Sequence, residues 1–177
     1  MRVARIRIGR FRGYRHAALV VPENMVLAGE PQAGRTDIVE ALRRVLDARS
    51  TRSRVNPLDV YRPADGDEES LTEVEVTLLD LGEDVETLLS ENLETFDRAT
   101  GEIATPSNAG DAVLGVRLCY RARYDLDTDT GEHWVDYPAR SDPAAGVFKK
   151  ASRIERESLP VQFVDSAPAL QLRAEGV

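Results

Sequence analysis

From Arg2 to Ile8 the chain alternates strictly: Val3, Arg5 and Arg7 fall on one parity, Ala4, Ile6 and Ile8 on the other. That period of two predicts a half-buried strand whose arginines face solvent or a ligand. Gly9 and Gly13 flank Phe11, and a second extended run follows from Tyr14 to Val21. Pro22-Glu23-Asn24 reads as a turn, and Met25-Val26-Leu27-Ala28 as a short strand buried on both faces. After Thr36 the period lengthens. Ile38, Val39, Ala41, Leu42, Val45 and Leu46 fall at helical spacing, with Glu40, Arg43, Arg44 and Asp47 opposite. A helix is therefore expected to start between Gly34 and Asp37 and to finish near Ala48.

Residues 50–69 carry the turn signals Asn56-Pro57, Arg62-Pro63 and Asp65-Gly66 and read as an irregular loop. Leu71 to Leu81 alternates as a strand. Asp84 to Phe96 reads as a helix with Val85, Leu88, Leu89, Leu93 and Phe96 on one stripe. After a polar stretch from Ala99 to Asp111, Val113 to Asp125 and Glu132 to Tyr137 form a hairpin around Asp127–Gly131. Leu159 to Val164, with Pro160 near its start, is a last short apolar strand. The fold class expected is mixed α/β: an N-terminal antiparallel β-hairpin, a phosphate-loop lobe, and a further strand, helix and hairpin region. Residues 1–177 are read as one partial domain, divided into 1–48 and 70–177.

Charge sharpens this picture. The net charge is -8, yet up to Arg62 thirteen arginines face only six acids. A basic N-terminal third suits phosphates, whether of a nucleotide or of nucleic acid. The acidic remainder argues against a surface wrapped on all sides by DNA. No apolar run approaches the roughly 20 residues that span a bilayer, and the start of the chain lacks the apolar core of a signal peptide. A cytoplasmic location without membrane contact is the expectation. The single cysteine, Cys119, lies in a strand and reads as a buried thiol. His16 and His133 are isolated, and Ser141 and Ser166 lack a nucleophile's context. Asp125, Asp127 and Asp129 before Gly131 resemble the opening of a calcium loop, but without flanking helices a hairpin turn is the better reading. Trp134 and Tyr137 fall on opposite faces of their strand as packing residues.

The candidate chemistry lies at Gly29-Glu30-Pro31-Gln32-Ala33-Gly34-Arg35-Thr36. Its spacing is that of G-x-x-x-x-G-K-[ST], with Arg35 in place of lysine. Such a loop turns backbone N–H groups towards a phosphate at a helix N-terminus. Gly29 and Gly34 allow the close approach, and the Thr36 hydroxyl suits Mg²⁺. Glu30, Gln32 and Ala33 supply loop backbone, and Asp37 suits the positive end of the helix dipole. Arg35 keeps the charge but is a planar fork where lysine is a point charge, so binding survives the exchange better than hydrolysis does.

Phe11-Arg12-Gly13-Tyr14, the hairpin, and VLAGEPQAGRTDIVEAL together resemble the start of the ABC-type ATPases. Within those the chain most resembles the RecF and overcoming-lysogenization-defect (OLD) branch, relatives of the SMC proteins. The resemblance covers about residues 1–48 and rests on Phe11-Arg12-Gly13, Gly29-Glu30, Gly34, Thr36 and Glu40-Ala41-Leu42. The family's asparagine falls on Pro31 and its lysine on Arg35. The resemblance implies ATP and Mg²⁺ as cofactors, Arg12 beside the nucleotide, and a dimer or larger ATPase/nuclease assembly near DNA, in repair or anti-phage defence. No Walker B Asp-Glu, signature stretch or switch histidine is found; Phe163-Val164-Asp165 offers one acid after a short apolar run. The resemblance therefore implies the N-terminal lobe of a larger ATPase, or a shortened relative, rather than a self-sufficient ATPase. Two alternatives stand beside it: a scaffold that kept the fold, and a nucleic-acid-binding module using the arginines of the first hairpin.

Overall fold

The computed structural model describes residues 1–61, 71–106, 109–125 and 127–164. Strands β1 (Arg2–Phe11) and β2 (Tyr14–Val20) form the expected hairpin, with Gly9 opposite His16 and Phe11 opposite Tyr14. Next come α1 (Arg35–Leu46), β3 (Thr72–Leu79), α2 (Glu83–Leu88), β4 (Glu94–Asp97), β5 (Ala112–Asp125), β6 (Thr130–Asp136) and α3 (Arg153–Glu157). The strands make one antiparallel sheet in the order β2-β1-β3-β5-β4. β6 pairs with the other half of β5, so β4 and β6 share one edge. The architecture is mixed α/β.

One face of this sheet carries the core. Ile6, Ile8, Val74, Val76, Leu78, Val116, Leu118 and Tyr120 meet Ile38, Ala41 and Val45 of α1. Each strand thus contributes every second residue, and the helix contributes one stripe. A β-bulge between Val3 and Arg5 removes Ala4 from the Ile6 and Ile8 parity. Ala4 packs instead with Leu79 and Phe96 in a second small cluster. Gly115 is required there, because a Cβ would lie 2.5 Å from the Leu78 carbonyl oxygen.

The other face of the sheet is a lattice of charges. Arg117 donates to Glu94 (2.7 and 2.9 Å) and to Glu75 (3.3 Å), and Arg5 pairs with Glu102 at 2.8 Å. Arg121 pairs with Glu73 and donates to the buried Asp136 at 2.7 Å. Trp134 also donates to Asp136, at 3.0 Å, and stacks against Phe148, while Tyr137 belongs to the main core. Trp134 and Tyr137 do take opposite sides. The arginines expected to face solvent or a ligand are in part answered by acids of the acidic remainder.

Three expected elements differ. Met25–Ala28 forms no strand, and Val26 is 90% exposed. An apolar run of that kind becomes a buried strand only when neighbours flank it, and all six strands of the observed sheet lie elsewhere. The helix expected over Asp84–Phe96 stops at Leu88, passes through a 3-10 turn at Ser90–Asn92, and re-enters the sheet as β4. Phe96 is buried by pairing opposite Val113, a long-range contact that overrides its helical spacing. Residues 160–164 form no strand: Val161 and Phe163 pack on the core from the irregular segment that follows α3. Residues 62–70 of the expected loop, and Asp165 and Ser166, lie outside the described residues. No helix among the described residues is long and apolar enough to cross a membrane.

Candidate functional site

Turns and bends run from Glu30 to Gly34, and α1 starts directly after. The Ala33 N–H donates to the Glu30 carbonyl (3.2 Å), closing a tight turn over Pro31 and Gln32. Gln32 has φ 68° and Gly34 has φ 81°, both left-handed, on either side of Ala33. Left-handed residues that alternate with ordinary ones turn successive N–H groups to one side, producing an anion-binding concavity. Glycine takes that conformation freely at Gly34. Gln32 takes it as a side-chain-bearing residue, at about 1–2 kcal/mol.

Gly34 is the N-cap of α1 and supplies no capping side chain. The first N–H groups of the helix, on Arg35 and Thr36, therefore point out of its end as the orphan donors of any helix start. Arg35 and Thr36 are exposed at the first and second helical positions, and Gly29, Glu30, Gln32 and Ala33 are exposed in the loop. The Tyr14 ring covers Gly34: its hydroxyl donates to the Gly34 carbonyl (3.3 Å), and a Cβ at Gly34 would lie 2.6 Å from that oxygen. The second glycine is therefore demanded twice, by its φ and by Tyr14.

Behind the loop lies a cluster of ions. Asp37, in the first turn of α1, accepts from Arg12 at 3.2 Å. Arg12 also donates through Nε to Asp59 (2.9 Å) and stands 3.9 Å from Glu40. Asp59 is fully buried and accepts from Arg44 of α1 at 2.6 Å. Burial works against the charge of Arg12, but the hydrogen bonds and charges of Asp59 and Asp37 outweigh it and raise its pKa above the ordinary value. Arg12, singled out as a nucleotide neighbour, is thus committed to carboxylates. Next to this cluster His133 bonds the Tyr120 hydroxyl through Nδ1 (3.1 Å) and the Ser53 carbonyl through Nε2 (3.0 Å). A carbonyl only accepts, so Nε2 carries the proton and Nδ1 accepts from Tyr120.

Tyr14 and Asp59 were not singled out in the sequence. Tyr14 adjoins the Phe11-Arg12-Gly13 stretch, so its place by the loop had a local signal. Asp59 had none, because only folding brings it across 47 residues to Arg12.

The residues present fit a polyphosphate: left-handed backbone at Gln32 and Gly34, an uncapped helix start, and the exposed Arg35. For a magnesium ion they offer the Thr36 hydroxyl, and no group of three or more His, Cys, Asp or Glu side chains gathers among the described residues. Mg²⁺ is commonly bound through few protein ligands, with phosphates and water completing its shell, so one hydroxyl is compatible with that ion.

Among solved structures, the chain is similar to one from work on ATP-driven dimerization and DNA-stimulated activation of SMC ATPases. The likeness has a TM-score of 0.45 at 14% identity, over 89% of this chain and 76% of that one. No family model matches, and no curated protein matches. The likeness concerns the path of the chain, and the site rests on its own geometry.

Proposed function

We propose that this chain is the ATP-binding lobe of a RecF/OLD-like relative of the SMC ATPases, acting in DNA repair or anti-phage defence. The observation that carries the reading is the loop: correct glycine spacing, left-handed backbone at Gln32 and Gly34, and an uncapped helix start at Arg35 and Thr36. In this reading the amides of Gly34, Arg35 and Thr36 hold the phosphates, and the Arg35 guanidinium faces them. Gly29, Glu30, Gln32 and Ala33 shape the loop, and the Thr36 hydroxyl reaches Mg²⁺. Bound Mg-ATP would supply the polyphosphate charge that these groups hold. The carboxylate that activates water and the signature stretch are supplied by further sequence or another subunit in a homodimer or larger assembly near DNA. Hydrolysis by this lobe alone is weak or absent.

A second reading is a scaffold that kept the fold and lost nucleotide. It is favoured by Arg12, which donates to Asp37 and Asp59, and by Arg35, a planar fork where the motif has a compact point charge. The third reading, nucleic-acid binding by the first hairpin, draws on the exposed Arg10 and Arg15 but loses Arg5 to Glu102. Calorimetry with Mg-ATP separates them. Binding that Gly34→Asp abolishes and Arg35→Lys strengthens supports the ATP-binding lobe. No heat at millimolar Mg-ATP, with wild type or Arg35→Lys, leaves the scaffold as the better reading. Salt-dependent DNA binding that is indifferent to ATP and weakened by charge reversal at Arg10 and Arg15 supports the third.

A further inference from the structure

We infer that Asp59 is a positioning residue for the phosphate loop, fixing Arg12 where it neutralises Asp37; this rests on the reading of Gly29–Thr36 as a phosphate site. Asp37 is the third residue of α1, one residue beyond Thr36. A carboxylate there is favourable while the helix end is empty, because it answers the positive end of the dipole. Once a polyphosphate occupies the same amides, that carboxylate becomes a like charge within a few ångströms and opposes binding. Arg12 removes the conflict by pairing with Asp37 at 3.2 Å.

Arg12 sits on the tight β1–β2 turn with φ 50°. Asp59 holds it. Its Oδ1 accepts from Arg12 Nε at 2.9 Å, and its Oδ2 accepts from Arg44 Nε at 2.6 Å. The main chain repeats the tie, since the Arg12 N–H donates to the Asp59 carbonyl at 3.0 Å. A fully buried carboxylate therefore bridges the hairpin turn to α1, and the Arg12 side chain retains only 20% exposure. Two arginines are needed because an unpaired buried carboxylate is costly. Among the groups facing Arg12, Glu40 at 3.9 Å belongs to the same helix face and cannot replace Asp59 as the bridge.

The role of Arg12 that follows differs from direct contact with phosphate, and the two are separable by rescue. Mg-ATP and inorganic pyrophosphate with Mg²⁺ are titrated into wild type, Asp59→Asn, Asp37→Asn and the Asp59→Asn/Asp37→Asn double variant, with circular dichroism confirming the fold. Asp59→Asn is expected to weaken both ligands about tenfold, and adding Asp37→Asn to recover most of that loss, because the charge Arg12 had to neutralise is gone. Asp37→Asn alone is expected to bind at least as tightly as wild type. Should Asp59→Asn fail to fold, Arg12→Gln with and without Asp37→Asn carries the same expectation at a partly exposed residue. A loss that Asp37→Asn does not recover overturns the inference and makes Arg12 a direct phosphate contact or Asp59 merely structural. Unchanged affinity in Asp59→Asn overturns it as well. If wild type binds neither ligand, the phosphate-site reading itself fails, and the inference falls with it.

Discussion

Arg156 on α3 bonds the far end of the loop helix, and its contacts set the magnitude of its loss. The guanidinium is 4% exposed and donates to the carbonyls of Arg44, Val45 and Asp47 at 3.3, 3.2 and 2.6 Å. It also donates to the hydroxyls of Ser50 (2.9 Å) and Thr51 (3.0 Å). Arg44 and Val45 hold carbonyls of the last turn of α1 and Asp47 is its C-cap; such carbonyls have no intrahelical donors and carry the negative end of the dipole. A side chain more than a hundred residues away thus caps the helix that begins at the phosphate loop. Burial lowers the pKa of Arg156 below the ordinary guanidinium value, with Asp47 and Tyr137 opposing. A cation in partly buried contact with a helix C-terminus contributes up to ~2 kcal/mol. Hydrogen bonds to a charged donor add about 1.5–3 kcal/mol each but are not additive, so one or two effective bonds give a total of about 3–5 kcal/mol. Arg156→Met keeps the stem's packing and removes the donors. The expected result is a fall of that size in urea-unfolding free energy at unchanged m, with Tm lower by about 10 °C. Arg156→Lys keeps the charge but reaches fewer acceptors, and should fall between. A loss below about 1 kcal/mol for Arg156→Met, or equal losses for Met and Lys, would show that Arg156 does not hold the end of α1 through these bonds.

Three further outcomes follow. Burial depresses the pKa of His133, Arg44 and Arg156 adding to the effect while the Ser53 carbonyl opposes it. The unfolded chain then binds more protons in the window below about pH 6.5, so stability is full above that pH and declines as pH falls, by at most about 1.4 kcal/mol per unit; urea midpoints from pH 7 to 5 measure it, and His133→Gln should flatten the slope. Gln32→Gly removes the left-handed penalty and should raise stability by about 0.5–1 kcal/mol in urea unfolding, whereas a net loss would mean that the φ of 68° carries no strain. Phe148→Ala uncovers Trp134, the single tryptophan, and should shift its emission to the red; an unchanged spectrum would show that Phe148 does not shield it.

Much of the fold was legible because it depends on local period. The alternation of β1, the helical stripe of α1 and the β5–β6 hairpin all carry their own signal; α1 and the hairpin stand within two residues of the pattern, and β1 runs three residues past Ile8 to Phe11. Misreadings occurred where a distant partner decides. Leu93 and Phe96 keep helical spacing, yet Phe96 is claimed by β5. Met25–Ala28 has the composition of a buried strand and no strand beside it. Val39 belongs to the apolar stripe of α1 but is 40% exposed, because the sheet covers only the side bearing Ile38, Ala41 and Val45. The loop was visible from its glycines, while its left-handed Gln32 and the Arg12–Asp59–Arg44 bridge were not. No local pattern marks a glutamine for positive φ or pairs a carboxylate with an arginine 47 positions earlier.

The backbone amides of Gly34, Arg35 and Thr36 are the groups proposed to hold the phosphates, and their ¹⁵N–¹H resonances read that binding directly. On titration with Mg-ATP, saturable shifts are expected at those three amides and at Ala33, lost in Gly34→Asp, with the far end of α1 unmoved. Spectra that stay unchanged at millimolar Mg-ATP, or that move only outside Gly29–Asp37, would contradict that binding.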